Sequence, residues 1–183
     1  VPLGVFTGVF LYSKRRHHLA PIFSYANNLL SGIPSIIAGL VVYLWIVKTC
    51  HSFSALAGGV AIGILIFPYI SRSVSQTLSR LPVELEENCY ALGASRSQTI
   101  FNVLLPASKR EIIGYTLHAT ARGIGTTAAL IGTAFGASII NWHINSPTSS
   151  LTLQLWDFVE NPNMIPYLWS AGFVLLVIAL TLH

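Results

Sequence analysis

Arg122 is the side chain whose position most demands a chemical explanation. It stands inside residues 112–140, a stretch with apolar residues on both sides of it. A guanidinium near the centre of a bilayer costs about 3 kcal/mol on insertion scales, and it does not escape by losing its proton. It therefore needs an anion, polar backbone or water. His118 and Thr126 lie four positions to either side, which on a continuous helix puts all three on one face. The spacing predicts a polar stripe lining a water-filled route for an anion. A hydrogen bond between helices is the competing role for Arg122, and ordinary packing the competing role for His118. Arg72, just past Pro68, lies near the end of its apolar stretch, where its long side chain can snorkel to the membrane surface.

A second set of residues suits docking. Residues 80–110 form a polar loop between apolar stretches. Pro82 is placed to open a short helix, and Glu84, Glu86 and Glu87 follow where carboxylates favour the positive end of the helix dipole. Leu85, Cys89 and Leu92 recur at helical spacing, and Gly93 permits the sharp turn that ends a helix. Residues 97–105 then resume helix, with Ile100, Val103 and Leu104 on one face, until Pro106 breaks it. A helix–turn–helix elbow is expected. Its plainer alternative is an amphipathic interfacial loop.

Membrane spans must position both sets. Of 183 residues, 53% are hydrophobic and 9% charged, with a mean hydropathy of +0.66; soluble domains carry about 25% charged residues. The apolar residues run together instead of alternating, which points to spans. Residues 29–47 and 53–70 are expected as complete spans, the first softened by Gly32, Pro34 and Gly39, the second interrupted by Pro68. Residues 112–140 exceed one span and must tilt or leave the bilayer early. Residues 167–182 begin a last one, with Tyr167 and Trp169 as interfacial anchors. Residues 1–12 are too short to cross alone, which takes about 20 residues. They lack the basic start and cleavage site of a signal peptide, and read as the end of a span. The expected fold is an all-α polytopic transmembrane helical bundle, a single domain over residues 1–183 that is incomplete at both ends. Gly4/Gly8, Gly59/Gly63 and Gly132/Gly136 are small-residue pairs expected to let helices approach closely.

Charge gives direction. Lys14, Arg15 and Arg16 precede the first complete span, and Arg80, Arg96, Lys109 and Arg110 lie between the second and third. The following segments carry only Lys48 or no Lys and Arg at all. The positive-inside rule then puts the elbow in the cytoplasm. On that topology Cys50 and Cys89 lie on opposite sides and cannot pair; packing is their expected role. No basic stripe interleaved with aromatics suggests nucleic acid. No phosphate loop is present for ATP, and no metal-ligand or hydrolase motif occurs. The chain is expected to be no enzyme and to bind no cofactor.

The run Glu87-Asn88-Cys89-Tyr90-Ala91-Leu92-Gly93, closed by Val103-Leu104-Leu105-Pro106, resembles the cytoplasmic "EAA" loop of permease subunits in ATP-binding-cassette importers. Asn88 and Cys89 replace that motif's two alanines. Pro2-Leu3-Gly4, Gly32-Ile33-Pro34-Ser35-Ile36, Ala121-Arg122-Gly123-Ile124-Gly125 and residues 149–156 are similar to landmarks of phosphate-importer permeases of the PstA type, and Arg72 occupies the place of an arginine of that type, which implies a part in the substrate pathway. The resemblance implies that Glu87, Ala91, Gly93, Leu105 and Pro106 couple the chain to an ATPase that holds ATP and Mg. It implies a second permease subunit, an ATPase dimer, a periplasmic or lipid-anchored phosphate-binding protein, and a multi-pass place in the bacterial cytoplasmic (inner) membrane. Family members typically read Gly-Glu-Thr where this chain has Gly125-Thr126-Thr127, and are acidic where it has Ser75 and Gln76. Neither arginine can pair with a carboxylate four residues along its helix here. Another anion such as sulfate or molybdate, an organic solute, or a non-transporting scaffold remain as alternatives.

Overall fold

The computed structural model describes residues 1–15, 20–137 and 143–182. Arg16, the end of the 112–140 stretch at residues 138–140, and His183 lie outside the described residues. Among those described the chain is helical and contains no strand, only an isolated bridge between Phe135 and Thr148. It packs as two compact units, Val1–Ser31 with Phe67–Ala119, and Gly32–Ile66 with Thr120–His183.

The first unit is built on the close approach of α1 (Pro2–Ser13) to the second half of α5 (Ala55–Arg80). A Cβ at Gly8 would stand 2.6 Å from both the Ser71 carbonyl oxygen and Val74 Cβ, and one at Gly4 would stand 3.0 Å from Ile70. Ile70, Val74 and Leu78, each four residues on, form the fully buried stripe of α5. α2 (Ala20–Ser31) joins through Asn27, a buried amide whose Nδ2 donates to the Pro68 carbonyl at 3.1 Å and whose Oδ1 accepts from Ser71 Oγ at 2.8 Å. α2 also sets Phe23 edge-on against Phe10. Gly8→Ala is expected to destabilise the solubilised protein by about 1–3 kcal/mol, the usual cost of overpacking. Gly63→Ala is the matched control, since nothing lies within 4 Å of a Cβ there. Thermal unfolding followed by intrinsic fluorescence reads both; equal losses would refute the close approach at Gly8.

The second unit packs α3 (Ser35–Val42) across α9 (Ala128–Ile131), with a Cβ at Gly39 only 2.8 Å from the Ala129 carbonyl oxygen. A π-helical turn, Tyr43–Val47, carries α3 into the short α4 (Lys48–Cys50), and Val42, Val47, Ala57, Ala61 and Ala129 form the unit's centre. The first N–H groups of a helix need partners from outside it. At α5, Ser54 Oγ accepts from Ala57, while Ala55 and Leu56 donate to the carbonyls of Ser146 and Ile144. α10 (Leu151–Glu160) and α11 (Ile165–Leu182) follow.

Among the described residues two helical segments are long and apolar enough to cross a membrane, Ala55–Arg80 and Pro162–Leu182, and a broken pair, Pro21–Ser31 with Ser35–Cys50, qualifies if taken as one span. Three expectations change. The span at 29–47 is not continuous: α2 stops at Ser31, because Ile33 precedes a proline and is pushed out of the α region, and Pro34 caps α3 in an extended conformation. The span expected at 53–70 continues to Arg80. The stretch 112–140 is no single helix: α8 (Leu105–Ile124) gives way at Gly125, where glycine and two β-branched threonines weaken the helix. Of the glycine pairs, Gly4/Gly8 packs as expected, but a Cβ at Gly59, Gly63 or Gly132 would meet nothing within 4 Å. At Gly136, φ is +65° and the nearest atom to a Cβ is Asp157 Oδ2, at 3.4 Å.

Candidate functional site

The elbow forms as its residues predict. α6 (Val83–Ala91) opens after Pro82 with Glu84 and Glu86 in its first turn. It ends in a left-handed glycine: Gly93 has φ +82°, its N–H donates to Tyr90, and the Ala94 N–H reaches back to Cys89, the paired bonds of a Schellman cap. Ser95 then starts α7 (Arg96–Gln98) with a reciprocal capping box, its Oγ accepting from the Gln98 N–H while the Gln98 side chain accepts from the Ser95 N–H.

A π-helical turn, Thr99–Leu104, links α7 to α8, closed by the Leu105 N–H donating to Ile100. Pro106 does not break the helix as expected. It sits in the first turn of α8, directly after that wider turn, which shifts the carbonyl a proline ring would otherwise strike.

The elbow is held to the first unit by one face and free on the other. Glu86, not Glu87, makes the attachment. Its Oε2 accepts from Arg15 Nη2 at 2.6 Å and from the Tyr12 hydroxyl at 3.2 Å, and its Oε1 accepts from the Tyr90 hydroxyl at 3.0 Å. Arg15 also stacks over the Tyr12 ring, 4.2 Å from its centroid. Partial burial pushes the Glu86 carboxyl pKa upward, but the hydrogen bonds from Arg15 and Tyr90 outweigh it and hold the group below the usual carboxylate range.

On the free side, Glu87, Ala91, Gly93 and Pro106 are exposed and Leu105 is half-buried. Glu87 shares a small cleft with Val83, Tyr90 and Arg96, and among the described residues it forms no ion pair. Leu92 is 89% exposed at the apex, and no α6 residue is buried. Leu92 follows Leu85 and Cys89 at helical spacing, and the turn at Gly93 carries it outward. An apolar residue immediately before a helix-ending glycine is the signal that marks it.

Of the stripe expected on α8, His118 and Arg122 stay four residues apart on the continuous helix and Thr126 falls beyond its end. His118 lies in the first unit with its ring 5.9 Å from that of Tyr69. Arg122 is exposed in the last turn of α8, where a cation complements the helix dipole. Thr126 lies beyond the helix end, and its Oγ1 donates to the Arg122 carbonyl at 2.9 Å; it caps the terminus. Arg72 is placed differently. It opens onto a cavity of about 430 Å³ within the first unit, lined also by Arg15, Ser24, Asn28, Ser75 and Gln76. Among the described residues neither Arg72 nor Arg122 is paired with a carboxylate. Cys50 and Cys89 are both free.

Apolar helices able to cross a membrane, with an exposed elbow between them, define a helical membrane protein. The chain belongs to the family of binding-protein-dependent transport system inner membrane components, which it matches over residues 1–183. It is 32% identical over 186 residues to the phosphate transport system permease protein PstA of Haemophilus influenzae, covering 99% of this chain and 66% of that protein. It is 32% identical over 182 residues to PstA of Mycobacterium leprae, covering 97% and 60%. A probable phosphate transport system permease protein PstA of Methanocaldococcus jannaschii is 27% identical over 185 residues, covering 100% and 66%. The chain thus spans slightly less than two thirds of the length of these relatives.

Proposed function

We propose that this chain is the permease subunit of an ATP-driven importer that carries inorganic phosphate inward across the bacterial cytoplasmic membrane, which it crosses several times. The names of its relatives supply the substrate. The observation that carries the coupling reading is the elbow: a capped helix with no buried residue that holds Leu92 outward at 89% exposure. A rigid apolar knob of this kind suits a groove on a separate protein. With no phosphate loop in the sequence, ATP and Mg fall to a dimeric ATPase partner, while the chain itself is no enzyme. A second permease subunit completes the membrane pathway, and an external phosphate-binding protein, periplasmic or lipid-anchored, delivers the substrate. The Lys and Arg bias supports an elbow on the cytoplasmic side. Arg72 and Arg122 are the pathway cations of this reading, with His118 packed beside the route and Thr126 capping the helix that carries Arg122.

The test is uptake of radiolabelled phosphate by cells that lack their own phosphate importers and express the complete permease with its partner permease, ATPase and binding protein. ATP-dependent uptake that excess sulfate leaves intact is expected. Uptake abolished by sulfate would favour a different anion. An assembled complex that moves neither anion would favour the scaffold.

A further inference from the structure

The polar cavity of the first unit and the elbow share a cation. Arg15 lines the cavity together with Arg72 and also donates from Nη2 to Glu86 on α6. The cavity walls carry two guanidiniums, the amides of Asn28 and Gln76 and the hydroxyls of Ser24 and Ser75, and among the described residues no carboxylate. Its volume of about 430 Å³ holds an oxyanion with several waters, each taking ~30 Å³ of liquid volume.

We propose that this cavity binds a small tetrahedral oxyanion between Arg72 and Arg15, steadied by Asn28 and Gln76, and that Arg15 is contested between the anion and Glu86. The proposal rests on the phosphate-permease reading for the identity of the anion. A guanidinium offers five donors in a fixed fork, and a planar fork matches two oxygens of a phosphate at once. Glu86 takes one Nη2 donor and compensates part of the charge. An anion in the cavity draws on the same charge, so it weakens the tie between the end of α1 and the coupling helix. Reciprocity requires that Glu86 weaken anion binding by the same factor. The side chains are suited to such an exchange. Arg15 is 31% and Glu86 15% exposed, so the pair is neither sealed in the interior nor fully screened by water. Two tyrosine hydroxyls on Glu86 keep its carboxylate partnered when Arg15 turns away.

The experiment is equilibrium dialysis of radiolabelled inorganic phosphate against the assembled importer in phosphatidylcholine nanodiscs without nucleotide. Glu86→Gln, which keeps the shape and the acceptor oxygen, is expected to tighten phosphate binding about fivefold. Arg15→Gln is expected to weaken it by a similar factor, with partial recovery in Arg15→Lys. In the Arg15→Gln background, Glu86→Gln should lose at least half of its gain. Asn28→Leu and Gln76→Leu, which touch the cavity but not Glu86, should weaken binding even if Arg15→Gln fails to assemble.

Unchanged or weaker binding in Glu86→Gln overturns the proposal, as does an equal gain without Arg15. Phosphate binding that disappears when phosphatidylglycerol is added to the nanodiscs would assign the cavity to lipid headgroups and overturn the free anion. A wild-type complex that transports phosphate while these variants bind it normally defeats the cavity alone. One that transports only sulfate defeats the phosphate reading, and the same ratios measured with sulfate then judge the cavity.

Discussion

Gly93→Pro is expected to abolish phosphate uptake while the permease still inserts and still forms its helical units. The backbone at Gly93 has φ +82°, whereas proline is locked near −65°. Proline also deletes the N–H that Gly93 donates to Tyr90, so the cap of α6 is lost on both counts. Gly93→Ala keeps the donor and meets only the left-handed penalty, about 1–2 kcal/mol, and should retain intermediate uptake. A Cβ at this position meets no atom within 4 Å, so the loss in either variant comes from backbone conformation and not from a clash. Leu92→Asp tests the other half of the elbow. It leaves the cap in place and replaces the apex with a charge, and a fall in uptake of at least about tenfold is expected, the effect of losing a modest interface hot spot. Glu87→Lys, in the cleft beside Arg96, should act in the same direction. Uptake, membrane-fraction yield and co-purification of the ATPase are measured together. Normal uptake in Gly93→Pro, or normal co-purification in Leu92→Asp, would end the coupling assignment.

The elbow was legible in the sequence because its determinants are local: Pro82 starts a helix, Gly93 stops it, and Ser95 with Gln98 starts the next. Which glutamate faces inward was not legible. That choice depends on how α6 is rotated against Tyr12 and Arg15, some seventy residues earlier, and helical spacing alone does not contain it. The break at Ser31 was concealed by hydropathy, which averages across a Gly-Ile-Pro interruption and registers only apolar residues. The extension of α5 to Arg80 could have been read: Ile70, Val74 and Leu78 continue the helical period straight through serines and Arg72. The place of Thr126 was not legible for a related reason. A spacing of four has meaning only while the helix lasts, and Gly125 ends it. Pro106 was read by its rule in isolation, but the π-turn before it removes the conflict that makes the rule hold.

Arg122→Ala separates a role in the pathway from a role in the fold. Its place in the last turn of α8 gives it a modest structural use, since a cation at a helix C-terminus contributes about 0.3–1 kcal/mol. Its exposure within this chain means that no packing inside the unit depends on it. A purely structural Arg122 therefore predicts small, parallel losses of yield and flux. The pathway role predicts a different pattern: flux falls by more than about tenfold, the equivalent of 1.4 kcal/mol on the barrier, while complex recovered from membranes stays near wild type. Arg122→Lys sharpens the contrast. Lysine preserves the charge and serves the helix dipole equally well, but it cannot present the planar two-donor fork. Rescue of yield without rescue of flux is the expected outcome if phosphate is recognised in a bidentate manner. Full rescue of flux by lysine would reduce the requirement to a point charge, and equal losses of flux and assembly in Arg122→Ala would assign the residue to the helix end alone.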